Sequence, residues 1–184
     1  MPERSEVVLV SEAGRVLGTA SKLDAHEAPG QLHLAFSAFV FNESGEMLLQ
    51  RRAVSKYHFG GIWANACCSH PEPGEELLES AERRLAEELG LEASLVEAGT
   101  FVYRALDPAS GRVEHELDHV LVGVVSATAA AGLVPDPEEV DDVAWVQPAD
   151  VAGAGSERGF APWFAEALAL ALSYRLTSAR TPDL

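Results

Sequence analysis

Apolar residues recur along this chain at two spacings, and each switch between them marks an element. Glu6–Val10 and Arg15–Thr19 are short strand-like runs around Ser11-Glu12-Ala13-Gly14, a turn composition, and predict a hairpin. His33–Phe41 is dense in aromatic and aliphatic residues, breaks at Asn42-Glu43-Ser44-Gly45 and resumes as Glu46–Arg52, which predicts two further strands. Lys56–Gly61 reads as a glycine-containing loop. Between Glu75 and Leu89 the period changes. At about 100° per residue, Leu77, Ala81, Leu85 and Leu89 share one stripe, with acids in the first turn and Gly90 as a stop, so a helix is expected over 75–89. Thr100–Ala105 and Val113–Val125 return to strand, joined through Asp107-Pro108-Ala109-Ser110-Gly111, and Val140–Val146 follows the Asp136-Pro137 turn. Phe160–Leu176 predicts a closing helix with Pro162 in its first turn, and the polar Thr177–Leu184 is expected to fray. Hairpins with a few helices indicate an α+β sandwich, not a doubly wound parallel sheet.

Composition narrows the class. At 184 residues the chain is expected to be one domain, ordered from about 5 to 176, and its apolar fraction of 47% supplies a core without disulfide staples. The two cysteines, Cys67 and Cys68, are adjacent, a spacing that seldom bridges, and free thiols suggest a reducing compartment such as the cytosol. Met1–Glu6 lacks the basic-then-apolar layout of a signal peptide, so a cytoplasmic location is expected. Val120–Val134, the longest uncharged run, is short for a membrane span and carries Gly123, Ser126, Thr128 and Gly132; it reads as a buried strand followed by a small-residue loop. A net charge of −16 with only 13 Lys+Arg argues against nucleic acid. An anionic small molecule would need a local cation cluster. Arg51, Arg52 and Lys56 fall close together, and Arg83 and Arg84 are adjacent.

The chemistry concentrates around Asn65-Ala66-Cys67-Cys68-Ser69-His70-Pro71, which sets a thiol two residues from an imidazole. His26 and His33 precede it. Glu114 and Glu116 follow, alternating in a strand so that both carboxylates share one face. Three imidazoles and two acids could fill an octahedral site for manganese or magnesium, or bind zinc. Cys68 is then a further ligand or an acid/base group beside the metal, and the rest of the sequence favours the latter; a structural zinc site is a weak reading, because no second Cys/His pair stands at finger spacing. Cys67 is assigned to inert burial, since neighbours in an extended segment face opposite ways. Glu88 falls inside the helix's apolar stripe, about 20° around from Leu77. A carboxylate there needs a partner: Arg84, four residues earlier, or a magnesium ion shared with phosphate oxygens, which is the preferred reading. His58, His115 and His119 carry no comparable pattern.

Together, Leu32-His33-Leu34-Ala35-Phe36-Ser37, Arg51-Arg52-Ala53-Val54-Ser55-Lys56, Trp63 through Pro71, Tyr103-Arg104-Ala105 and Glu114-His115-Glu116 resemble the type I isopentenyl-diphosphate isomerases of the Nudix superfamily, over Lys22 to Trp163. The resemblance implies a Nudix-like α/β/α sandwich with a mixed sheet and a catalytic helix. It implies interconversion of isopentenyl and dimethylallyl diphosphate, with a small prenyl diphosphate as partner, no nucleic acid or membrane, and a monomer. Under it, His26, His33, His70, Glu114 and Glu116 hold one tight divalent metal (manganese, magnesium or zinc). Glu88 holds a magnesium that bridges to the diphosphate. Lys22, Arg52, Lys56 and Arg84 contact the diphosphate, Cys68 and Glu116 form the catalytic pair with Tyr103 supporting Glu116, and Trp163 faces the hydrocarbon end. Aligned on Glu87-Glu88-Leu89-Gly90-Leu91, the chain departs from the hydrolase signature, with Ser69 where glycine is usual and Arg84 where the hydrolases carry a glutamate. That departure counts against a pyrophosphohydrolase. A catalytically idle metal-binding scaffold is the other rival.

Overall fold

The structure, a computed structural model, describes residues 6–152 and 159–178. Its strands are β1 (Glu6–Val10), β2 (Val16–Ser21), β3 (His33–Asn42), β4 (Met47–Arg52), β5 (Trp63–Asn65), β6 (Cys67–Ser69), β7 (Val96–Leu106), β8 (Val113–Val125) and β9 (Val140–Val146). The helices are α1 (Lys22–Ala25), α2 (Leu77–Leu89), α3 (Ala127–Ala131), α4 (Pro148–Ala152) and α5 (Phe164–Ser178).

Among the described residues the strands form one mixed sheet around β3. This strand pairs in parallel with β8 from His33↔Glu116 to Asn42↔Val125, and antiparallel with β1, β4 and β6. β7 adds to β8, while β5 and β9 flank β4, all antiparallel. β3 is apolar at nearly every position because both of its faces are covered, as a central strand requires. Phe36, Ala38 and Val40 pack with Ala81, Leu85 and Leu89 of α2. The alternate residues Phe39 and Phe41 pack with Trp163, Phe164, Ala167 and Leu168 around α5. One helix on each face makes the α/β/α sandwich.

β1, β8 and β9 match the hydrophobic pattern residue for residue, while α2 starts two positions later than its acidic lead-in suggests. It ends on Gly90, whose φ of 62° is the left-handed cap a glycine adopts freely. Three expectations change. The closing helix begins at Phe164, because residues 159–161 run extended beside β5: Trp63 N–H donates to Gly159 O and Ala161 N–H to Trp63 O. Thr177 and Ser178, expected to fray, continue α5; residues 179–184 lie outside the described residues. The loop expected after β8 contains α3, whose N-cap Ser126 accepts a hydrogen bond from Ala129 N–H at 3.2 Å. No helix among the described residues is long and apolar enough to cross a membrane.

Candidate metal and acid/base site

Strand register assembles the centre of the site. The β7/β8 pairing puts Tyr103 opposite Glu116, and the β3/β8 pairing puts His33 on the other side of Glu116, so the three stand in a row across three strands. His70 follows β6 directly, and its Nε2 lies 2.9 Å from Glu116 Oε1. His26 caps α1, a four-residue helix too short to show in the periodicity, whose own N-cap Ser21 accepts from Asp24 N–H. Donor atoms of His26, His33, His70 and Glu116 all lie within 4.8 Å of one another.

These donors fit a cation. His26 Nδ1 sits 2.6 Å from Lys22 O and His33 Nδ1 2.7 Å from Gln31 O. Both contacts place the ring proton on Nδ1 and leave Nε2 as a bare lone pair, the arrangement of metal-ligating imidazoles. The Nε2 atoms of both rings are buried without a hydrogen-bond partner. Burial, and then the neighbouring His33, push His26 down to about 4. Burial carries His70 down to about 3 against the pull of Glu116. Neutral imidazoles beside a carboxylate suit a divalent ion. Burial also acts on Glu116, but its close approaches to His33 and His70 outweigh it and hold this carboxyl well below the usual range. Glu114, buried beside it, is pushed up by desolvation and then by the Glu116 charge.

Glu114 does not join that group of four. It stands with His26 and His58, His58 Nε2 being 2.5 Å from Glu114 Oε1. His58, which carried no pattern in the sequence, is buried at the centre of the site. Tyr103 links the two carboxyls, its hydroxyl 2.6 Å from Glu116 Oε2 and 2.8 Å from Glu114 Oε2.

The cysteines point to opposite faces, as their extended setting requires. Cys67 is fully buried against the α2 layer, and burial pushes its thiol far up. Cys68 lines a cleft of about 290 Å³ together with Tyr103, Glu116 and Trp163. Its S–H donates to Asn65 Oδ1 at 3.0 Å, and Trp163 Nε1–H reaches Sγ at 3.2 Å. Desolvation, then the charge of Asp118, push the Cys68 thiol up to about 12. Asn65 is held in register because its NH₂ donates to Ala38 O and Cys67 O. Asp118, buried and accepting from Ser37 Oγ at 2.7 Å, is raised to about 8 by burial and by Glu116. Neither Asp118 nor Ser37 stands out in the sequence, since only the parallel register of β3 on β8 brings their side chains together.

Lys22, Arg52, Lys56 and Arg84 all line the same cleft. Lys22 Nζ lies 5.4 Å from the Tyr57 ring centre, and Lys56 is paired with Glu139. Arg52 is buried, with Nε donating to Phe59 O at 3.0 Å and Nη2 to His58 O at 3.3 Å. Arg84 Nη2 bonds Glu88 Oε1 at 2.6 Å and lies 3.3 Å from Glu139. Glu88 is therefore ion-paired with Arg84; Gln50 Nε2 donates to its other oxygen at 3.2 Å, and it stands behind the cleft wall.

Residues 31–164 match the NUDIX domain family model. The chain is 49% identical over 177 residues to the isopentenyl-diphosphate Delta-isomerase of Nocardia farcinica, covering 95% of this chain and 99% of that one. It is 52% identical over 157 residues to the enzyme of the same name from Streptomyces griseus, covering 85% and 78%. Among solved structures, DR0079 from Deinococcus radiodurans superposes with a TM-score of 0.70 over 90% of this chain and 98% of that one, at 20% identity, a likeness of fold alone. The family match, the extent of the two alignments and the shared architecture place this chain in the Nudix family, among the type I isopentenyl-diphosphate Delta-isomerases.

Proposed function

We propose that this chain interconverts isopentenyl diphosphate and dimethylallyl diphosphate in isoprenoid biosynthesis. The relatives named for that reaction support the assignment, and one observation about the site carries it: Cys68 and the Glu116–Tyr103 pair open onto the same cleft. Moving the double bond adds a proton to the terminal methylene carbon and removes one from the carbon nearer the diphosphate, through a tertiary carbocation. It needs one acid and one base around a dry pocket. Cys68 enters as a thiol and Glu116 as a carboxylate, so the pair carries one proton between them and can work in either direction. The indole of Trp163, 2% exposed and 5.9 Å from the Tyr103 ring, walls the hydrocarbon end and offers its π-face to the cation. Lys22, Arg52, Lys56 and Arg84 supply the local positive charge that the acidic surface lacks, and they hold the diphosphate.

His26, His33, His70 and Glu116, with Glu114 alongside, hold one tightly bound manganese, magnesium or zinc ion. When bound, it supplies Lewis acidity and fixes the Glu116 carboxyl beside Tyr103. Glu88 would hold a magnesium ion shared with the diphosphate, and Arg84, which pairs with Glu88 and lines the cleft, would contact the phosphate oxygens. The test is incubation of isopentenyl diphosphate with the magnesium-supplemented protein in deuterated water, followed by phosphorus and deuterium NMR. Dimethylallyl diphosphate carrying deuterium on carbon, with its diphosphate intact, is the expected product. Phosphate release without carbon-bound deuterium would replace the isomerase with a hydrolase.

A further inference from the structure

His58 is 4% exposed, stands outside the group of four donors, and places Nε2 2.5 Å from Glu114 Oε1. The chain around it is shaped to bring it there. Phe59, the next residue, has a φ of 47°, a left-handed conformation that a bulky side chain rarely adopts. Arg52 donates to the carbonyls of both His58 and Phe59, and Phe59 N–H donates to the buried Asp107 Oδ2 at 2.9 Å. At Gly60, a Cβ would stand 2.7 Å from Val54 O, so the turn admits only glycine there. Three fixed contacts and one strained residue hold a histidine ring against a single carboxylate.

A second ion between His26, His58 and Glu114 does not fit the donors. His26 commits Nδ1 to Lys22 O, and its one remaining lone pair, on Nε2, already faces the group of four. His58 therefore serves the same ion as the rest of the centre, directly or through Glu114. A ligating Glu114 is ionised and can only accept hydrogen bonds, so a contact at this distance requires the His58 proton on Nε2. A nitrogen carrying that proton cannot ligate. The Nδ1 atom of His58, which His26 and His33 would each spend on a carbonyl, is buried without a partner. His70 shares that feature, but its Nε2 lies within the group of four, where His58 has no place.

We propose that His58 is a positioning residue of the metal centre: its Nε2–H holds the Glu114 carboxylate toward the ion without binding the ion itself. This rests on the proposed metal centre, and cobalt(II) as the probe separates the two ideas. Wild type, His58→Ala and His58→Gln are stripped with chelator, checked for intact folding by circular dichroism, and titrated with cobalt(II) against a competing chelator. His58→Ala is expected to bind one ion 10- to 100-fold more weakly, on the order seen when outer hydrogen-bond partners are removed. His58→Gln, whose amide N–H can reach Glu114, is expected to recover most of that loss. Proton NMR of the cobalt-loaded proteins is expected to show three strongly shifted, solvent-exchangeable imidazole N–H signals in wild type and in His58→Ala alike. Four signals falling to three in His58→Ala would make His58 a ligand and overturn the proposal. Wild-type affinity in His58→Ala would reduce it to packing. A wild-type protein that binds no cobalt would instead remove the metal centre beneath it.

Discussion

At the scale of single residues, adjacent cysteines have different fates because a strand turns them to opposite faces. Cys68→Ala removes the thiol that opens on the cleft and is expected to abolish turnover with little change in urea midpoint. Cys67→Ala leaves a small void in the α2 layer, so it is expected to cost about 1 kcal/mol of stability while kcat stays within a few-fold. An active Cys68→Ala and a dead Cys67→Ala would reverse the register of the site. The imidazoles make a separate prediction about the metal-free protein. His26 and His70 are lowered to about 4 and about 3 from 6.5, burial being the largest cause for each. The unfolded chain therefore binds more protons than the fold below pH 6.5. Their stabilising contribution is present above that pH and is lost as pH falls toward those values. Urea unfolding of chelator-treated protein is expected to show a drop from pH 7 to pH 5 on the order of 2 kcal/mol for each histidine. The slope is expected to flatten in His26→Gln; equal stability at both pH values would contradict the buried neutral rings.

At the scale of elements, α2 shows what periodicity reveals and where it stops. The stripe of Leu77, Ala81, Leu85 and Leu89 and the Gly90 stop are visible in the sequence, as is the misplaced Glu88. Gln50, which bonds the second oxygen of Glu88 from β4, is invisible there because nothing local links the two segments. Glu88→Gln is expected to keep the tightly bound ion while raising the KM for isopentenyl diphosphate and blunting the response to magnesium. Elemental analysis after gel filtration, beside kinetics at varied magnesium, reads both; loss of the tight ion would move Glu88 into the histidine centre. β5 and β6, three residues each, carry no period long enough to detect, yet they carry Asn65 and Cys68. The start of α5 was displaced by the same short β5, whose backbone captures residues 159–161.

For the whole molecule, the four grouped donors tie the end of α1, the start of β3, the exit of β6 and the first part of β8 into one point. An ion there clips segments distant in sequence and binds only the folded chain, so it raises stability by mass action. Chelation is expected to lower the melting temperature by several degrees, and added manganese to restore it in a concentration-dependent way. In His33→Ala the manganese dependence is expected to be largely lost. A melting temperature indifferent to chelator and manganese would argue against a tight ion. On a molecule of net charge −16 with 13 Lys+Arg, four of those cations (Lys22, Arg52, Lys56 and Arg84) line one cleft, beside Glu114, Glu116, Glu138 and Glu139.

The chain's own pattern determined the main strands, the stripe of α2, the two-faced β3 and the inventory of imidazoles, carboxylates and thiols. These are local properties, set by side-chain spacing against a period of 2 or 3.6. Its motifs also carried the family resemblance. Only the tertiary structure decided which donors meet. His33 reaches Glu116 through the parallel register of β3 on β8, a long-range pairing that no window of sequence contains. The strained turn at Phe59 and its anchors on Arg52 and Asp107 bring His58 onto Glu114. Periodicity tells which way a side chain faces within its own element; what it faces depends on how the elements pack.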